Sequence, residues 1–188
     1  MVDGLHTNCR LTPGRARRRA DLLRLVKQLD EWIGELDQRL EQEAARRPEV
    51  LRLKTHPGVG TLTALGTVLV LGPVERFPDA RHVTSYLRLI PEEDSSADRH
   101  RFGKLTKQGN RLLRFLLVEA GPIASRYDPG LQRCSRRLAF RKGVAHAKVA
   151  VARKLAIRLY IMLREGIDYA EFVRRGSHAG MLGEVALV

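Results

Sequence analysis

The chain has 188 residues, with 34 Lys and Arg against 21 Asp and Glu, a formal net charge of +13 and a pI near 10.6. That length suits one domain, or one domain with a helical extension. A hydrophobic content of 44% is enough to bury a core and excludes a disordered chain, while the basic excess points to a polyanionic partner, nucleic acid before membrane.

No stretch approaches the ~20 apolar residues that span a bilayer. Met1 to Arg19 lacks the apolar centre of a signal peptide. A cytoplasmic, nucleoid-associated protein without a membrane partner is expected. Cys9 and Cys134 lie far apart and share no ligand spacing with the six histidines, so both are expected to be reduced, with no metal site and no cofactor in this chain.

Residues 1–15 contain Gly4, Pro13 and Gly14 without periodicity and read as a flexible leader, followed by Arg17, Arg18 and Arg19. Leu22, Val26, Leu29, Ile33, Leu36 and Leu40 then step by four and three, the a/d spacing of a coiled-coil seam. This predicts a helix over 16–47, closed by Pro48. Two uses fit such a seam: homo-oligomerisation, or an arm packed on its own domain.

Next comes Leu53-Lys54-Thr55-His56-Pro57-Gly58-Val59-Gly60-Thr61-Leu62-Thr63-Ala64 and an apolar helix ending near Gly72-Pro73. An apolar residue, Pro-Gly-Val-Gly and a helix rich in Thr, Ala and Leu form the pattern of a helix-hairpin-helix. Glycine removes side chains where a backbone must approach a phosphate, and the helix N-terminus aims N–H groups outward. Gly58, Val59, Gly60 and Thr61 are therefore candidate nucleic-acid contacts. The plainer reading is a tight turn between two packed helices. Val68, Leu69, Val70 and Leu71 are expected in the core either way.

Pro78-Asp79 opens a short helix to about Leu89, and residues 91–103 lack any period and read as a loop. Between residues 99 and 158 there are sixteen Lys and Arg and two acids, Glu119 and Asp128, a net +14 that exceeds the charge of the whole chain. Helices are expected over 107–126, 129–141 and 144–164. In the last, Val144, Ala147, Val151, Leu155 and Leu159 share one face while Lys148, Arg153, Lys154 and Arg158 lie elsewhere. Apolar core on one side and cations on the other is the footprint of a phosphate groove. The fold class is thus all-α: a long coiled-coil-like helix, then a compact helical domain over 50–172 and a tail over 173–188. Phe77, Tyr86, Leu113, Phe115, Leu116, Val151, Leu155 and Leu159 are the expected core. With 5% aromatics, recognition by base stacking is not expected to dominate.

Taken in order, Leu53 to Ala64, Arg76-Phe77, Ser85-Tyr86-Leu87 with Leu89-Ile90-Pro91, Ser95-Ser96, Gly103 to Asn110 with Leu113-Arg114, and Ala147 to Lys154 resemble the C-terminal domain of insertion-sequence transposases of the IS110 (IS116/IS902) family. Members of that family include bridge-RNA-guided DNA recombinases. The resemblance covers about residues 20–172. It implies that a serine attacks a DNA phosphate and becomes covalently linked, while a RuvC-like nuclease domain supplies Mg²⁺. Ser96 is then the expected nucleophile and Ser95 its rival. Arg99, Arg101, Lys104, Lys107, Arg111, Arg114 and Lys148 would hold DNA or a structured guide RNA. Ala97-Asp98 stands where the family carries a glycine, and Arg88 where its Tyr-Leu-Gly-Leu stretch has a small residue. About twenty residues precede the seam, too few for a nuclease domain, so catalysis is expected to need a separate nuclease chain. The alternative is a non-catalytic DNA- or RNA-binding remnant. Without the resemblance, Ser95-Ser96 reads as a turn or cap.

Overall fold

The computed structural model describes residues 12–89, 93–96, 99–102 and 109–176, the two four-residue strands by backbone alone. Its helices are α1 (Pro13–Ala45), α2 (Pro48–Lys54), α3 (Thr61–Leu71), α4 (Ala80–Tyr86), α5 (Arg111–Tyr127), α6 (Pro129–Lys142), α7 (Val144–Glu165) and α8 (Tyr169–Arg175), with a 3₁₀ turn at Val74–Arg76. The chain divides into two compact units after Glu41. The all-α expectation holds, with one addition. Residues 93–102, expected as loop, contain an antiparallel hairpin of β1 (Glu93–Ser96) and β2 (Arg99–Phe102), which sets Ser95 opposite His100 and Ser96 opposite Arg99. Four-residue strands of polar and charged residues carry no apolar alternation, so periodicity does not reveal them.

In the first unit, α1 presents its seam to solvent: Leu22, Val26, Leu29, Ile33, Leu36 and the neighbouring Trp32 are 42–60% exposed. Surface pairs such as Arg24–Asp21 and Arg39–Glu35 contribute little individually. The helix ends at Ala45, and Pro48 opens α2 instead of closing α1, since a proline at the first helical position loses no hydrogen bond.

The second unit is built on α7, whose Val151, Ala152, Leu155, Ala156, Leu159 and Met162 are buried. The long helix α5 packs against it. Gly121 permits the close approach, since a Cβ there would meet Val151 Cγ1 at 3.2 Å. The helices α2, α4 and α6 also pack on α7, and α3 packs on α5. Side-chain caps set the helix starts. Asp79, Asn110, Asp128 and Asp168 accept from the backbone N–H three residues on in α4, α5, α6 and α8. Gly166, left-handed at φ 67°, ends α7.

Several expected core residues are exposed. Phe115 and Tyr86 are 60% and 44% exposed. Phe115 lies on the outer side of α5, and Tyr86 leans on Phe77 with the Arg76 guanidinium over both rings. Leu69 is exposed, Val68 and Val70 are half-buried, and of that run Leu71 alone is buried. A helix that is apolar all round, TLTALGTVLVL, gives no clue to its buried side. Val144, at the first turn of α7, is also exposed.

Candidate nucleic-acid interface

The segment from Thr55 to Gly60 joins α2 to α3 as a tight turn. His56 N–H donates to Leu53 O and Val59 N–H to His56 O, at 3.1 Å each. Gly58 has φ 81°, and a Cβ on it would lie 2.5 Å from Ala124 N and 3.1 Å from Ala120 O. Its missing side chain thus lets the turn close on the backbone of α5. Val59 is buried, whereas Gly60 is exposed and caps α3, with no atom near its Cβ position. Of the four candidate contacts, Gly58 and Val59 serve the interior, and Gly60 and the half-buried Thr61 stand at the surface.

His56 is 1% exposed; its Nδ1–H donates to Pro57 O at 2.9 Å, its Nε2 has no partner, and its ring leans on Tyr169 at 4.6 Å. Burial, opposed by the Pro57 hydrogen bond, lowers its pKa from 6.5 to about 4. The unfolded chain therefore takes up a proton that the folded chain refuses as pH falls below about 6.5. Stability from this residue is complete above that pH and declines toward pH 4, by roughly 3 kcal/mol in all. Urea midpoints across pH 4–7 should show the slope, and His56→Phe should flatten it.

Beside this turn lies a buried polar cluster. Asp128 caps α6 through Leu131 N–H at 2.7 Å, pairs with Arg158 of α7, and accepts from the Tyr169 hydroxyl of α8 at 2.7 Å. Burial alone would raise the Asp128 pKa, but hydrogen bonds from Arg158, Leu131 and Tyr169 outweigh it, and the net shift is downward. The phenol is pushed up to about 12, by burial first and the carboxylate second. Thr55 Oγ accepts from Tyr169 N–H at 2.9 Å, joining the α2–α3 turn to the same cluster.

The hairpin leaves and rejoins the helical body at one point. A Cβ on Gly109 would lie 3.1 Å from both Arg88 Cγ and Tyr86 O, so residues 88 and 109 bracket a closed excursion. Arg88 takes φ 53°, the left-handed conformation that glycine adopts without strain. Ser95 and Ser96 lie on β1 and Arg99 and Arg101 on β2, described by backbone alone, and Arg111 is exposed at the start of α5. Lys104 and Lys107 lie outside the described residues. Arg114 is half-buried one turn into α5, and Lys148 is exposed near the start of α7. The α2–α3 turn meets α5 at Ala124, thirteen residues and about 20 Å from Arg111. Of the expected contacts whose side chains are described, Arg111 and Arg114 stand near the start of α5, Gly60 and Thr61 belong to the turn that meets its other end, and Lys148 lies on α7.

Further cations lie on α6 and α7; Arg153 and Lys154 were expected on the cationic side of the last helix, whereas those of α6 were not named individually. Arg153, half-buried on α7, has its pKa lowered by burial and then by the charge of Arg81 on α4. Arg133, Arg136, Arg137, Arg141, Lys142 and Lys154 are exposed on α6 and α7. From Pro129 to Arg164 there are ten Lys and Arg and no acid; that acid-free run was the legible signal. Among the described residues, no group of three or more His, Cys, Asp or Glu is placed to hold a metal ion, and no helix is long and apolar enough to cross a membrane.

Residues 50–135 match the sequence model of the family described as Transposase IS116/IS110/IS902. The chain is 29% identical over 144 residues, 74% of its length and 40% of the relative's, to the transposase for insertion sequence element IS1111A of Coxiella burnetii. It is 29% identical over 150 residues, 76% of its length and 44% of the relative's, to the transposase for insertion sequence element IS1328 of Yersinia enterocolitica. The pilin gene-inverting protein of Moraxella lacunata is 28% identical over 149 residues, 74% of this chain and 46% of that protein. The chain thus spans less than half the length of these relatives.

Proposed function

This chain belongs to the IS116/IS110/IS902 transposase family, and we propose that it is a DNA transposition and recombination protein that grips DNA phosphates with α5, α6 and α7 and offers them a serine from β1. The exposed cations of the acid-free run from 129 to 164, Arg133, Arg136, Arg137, Arg141, Lys142, Lys148 and Lys154, carry the binding half. A solvated surface normally mixes charges of both signs, whereas one sign on adjacent helices suits a phosphate backbone. The surface residues of the α2–α3 turn, Gly60 and Thr61, add a helix N-terminus in the manner of a helix-hairpin-helix. A structured guide RNA would use the same faces.

Ser96 is the proposed nucleophile, with Ser95 as its rival. Its Oγ–P bond would form as a P–O bond to deoxyribose breaks, the hydroxyl losing its proton and the departing oxygen gaining one. A serine hydroxyl is a weak nucleophile and needs activation. The RuvC-like nuclease domain that the family resemblance implies would supply Mg²⁺. Self-association is assigned to the exposed seam of α1. The second reading, a non-catalytic DNA- or RNA-binding remnant, draws on Asp98, whose charge beside the serines would repel phosphate.

The test is the salt dependence of binding to a short DNA duplex. Replacing Arg111, Lys148 and Lys154 together by Gln should weaken binding for all sequences and lower the slope of log K against log salt by about 0.9 for each phosphate no longer neutralised. An unchanged slope would remove these cations from the interface.

A further inference from the structure

The outer face of α6 carries a feature that phosphate binding alone does not explain. Phe140 is 93% exposed, more than any other large apolar residue described. At about 100° per residue, Arg133, Arg136, Arg137, Phe140 and Arg141 fall within an arc of roughly 140°. All five are exposed, while Leu131, about 150° from the middle of that arc, and Cys134, just past its edge, are buried. The helix α6 contains no Asp or Glu, so these guanidinium groups face no acid from their own helix. Just past the phenyl, Gly143 at φ 88° joins α6 directly to α7, and Lys142 and Val144 stand exposed on either side of it. The phenyl therefore projects beside a sharp, cationic corner with open solvent around it.

A lone exposed leucine or valine is ordinary on protein surfaces. An aromatic ring in water amid four arginines is a different case. The arginines seat a phosphate backbone, and the ring offers a flat apolar surface at the same depth, the combination with which proteins hold unpaired bases. A blunt duplex hides every base face but those of its two terminal pairs in the stack, so along its length it engages the arginines and not the ring. We propose that the outer face of α6 is a binding site for nucleic acid with unpaired or unstacked bases, in which Phe140 stacks on one base while Arg133, Arg136, Arg137 and Arg141 hold the flanking phosphates. This rests on the nucleic-acid-binding reading above and adds to it the strand structure that this face selects. An acidic protein segment would match the charge but has less use for a bare ring set between guanidinium groups.

The full chain should be titrated against a blunt DNA duplex and against the same duplex carrying a bulge of unpaired bases with 2-aminopurine at the bulge. Phe140→Ala should weaken binding to the bulged duplex roughly 5- to 150-fold, the range for one base–aromatic stack, and leave blunt-duplex binding unchanged. It should also abolish quenching of the 2-aminopurine, and Phe140→Trp should restore both signals. Since the ring touches solvent, the thermal midpoint of Phe140→Ala should match the parent, which separates the effect from misfolding. Equal weakening on both duplexes, or none on either, would overturn the stacking role. That second outcome would leave the face to a different partner, such as an acidic protein. If the parent chain binds neither duplex, the nucleic-acid reading itself falls, and this inference with it.

Discussion

Replacing Asp128 by Ala is expected to destabilise the second unit by about 3–5 kcal/mol, measured as a drop in the midpoint of chemical denaturation. One carboxylate serves three elements: the N-terminus of α6, the Arg158 guanidinium of α7 and the Tyr169 hydroxyl of α8. The Arg158 side chain is 16% exposed and that of Asp128 5%, so truncating the acid leaves a mostly buried cation without its counter-charge. That loss dominates, because breaking one side of a buried pair costs far more than the pair itself contributes. Loss of the α6 cap adds about 1 kcal/mol, not strictly additive. Asp128→Asn keeps the cap acceptor and should cost less. Tyr169→Phe removes one hydrogen bond and should cost about 1 kcal/mol. If Asp128→Ala is no worse than Tyr169→Phe, the ion pair does not hold these helices together.

Gly58→Ala is expected to cost about 2–5 kcal/mol, and Gly60→Ala, two residues on, less than about 1. The first combines left-handed strain at φ 81° with a Cβ placed 2.5 Å from Ala124 N, so the turn must withdraw from α5. The second has φ −84° and open space around it. Thermal unfolding of the two variants checks the contrast. If Gly58→Ala keeps its full stability but loses DNA binding, the glycine approaches phosphate and not α5.

That contrast also marks what the sequence could reveal. Leu53 to Ala64 was legible as two helices about a glycine turn, because Pro and Gly punctuate helices wherever they occur. Which glycine meets protein and which meets solvent depends on α5, more than fifty residues away, and no local pattern encodes it. The starts of α6 and α7 at Pro129 and Val144 were legible because prolines, caps and glycines mark helix ends locally. The short α8 was not, having too few turns to show a period. The Asp128 cluster joins residues 30 and 41 positions apart. Its one trace in the sequence is an isolated acid in a long cationic block. Phe140 looked like any apolar residue on an amphipathic helix until its neighbours at three and four residues proved to be exposed arginines. Ser95 and Ser96 rested on the resemblance alone, and the backbone places them on β1, paired with β2.

The proposal that a serine of β1 joins to DNA is tested most directly on a denaturing gel. End-labelled duplex DNA, Mg²⁺ and a separately supplied family nuclease domain are incubated with this chain, with Ser95→Ala and Ser96→Ala run alongside. A covalent adduct with the parent chain that persists in Ser95→Ala and vanishes in Ser96→Ala is the expected result. An adduct that survives both substitutions, or no adduct from a chain that binds the same DNA tightly, would contradict the serine role and favour the non-catalytic reading.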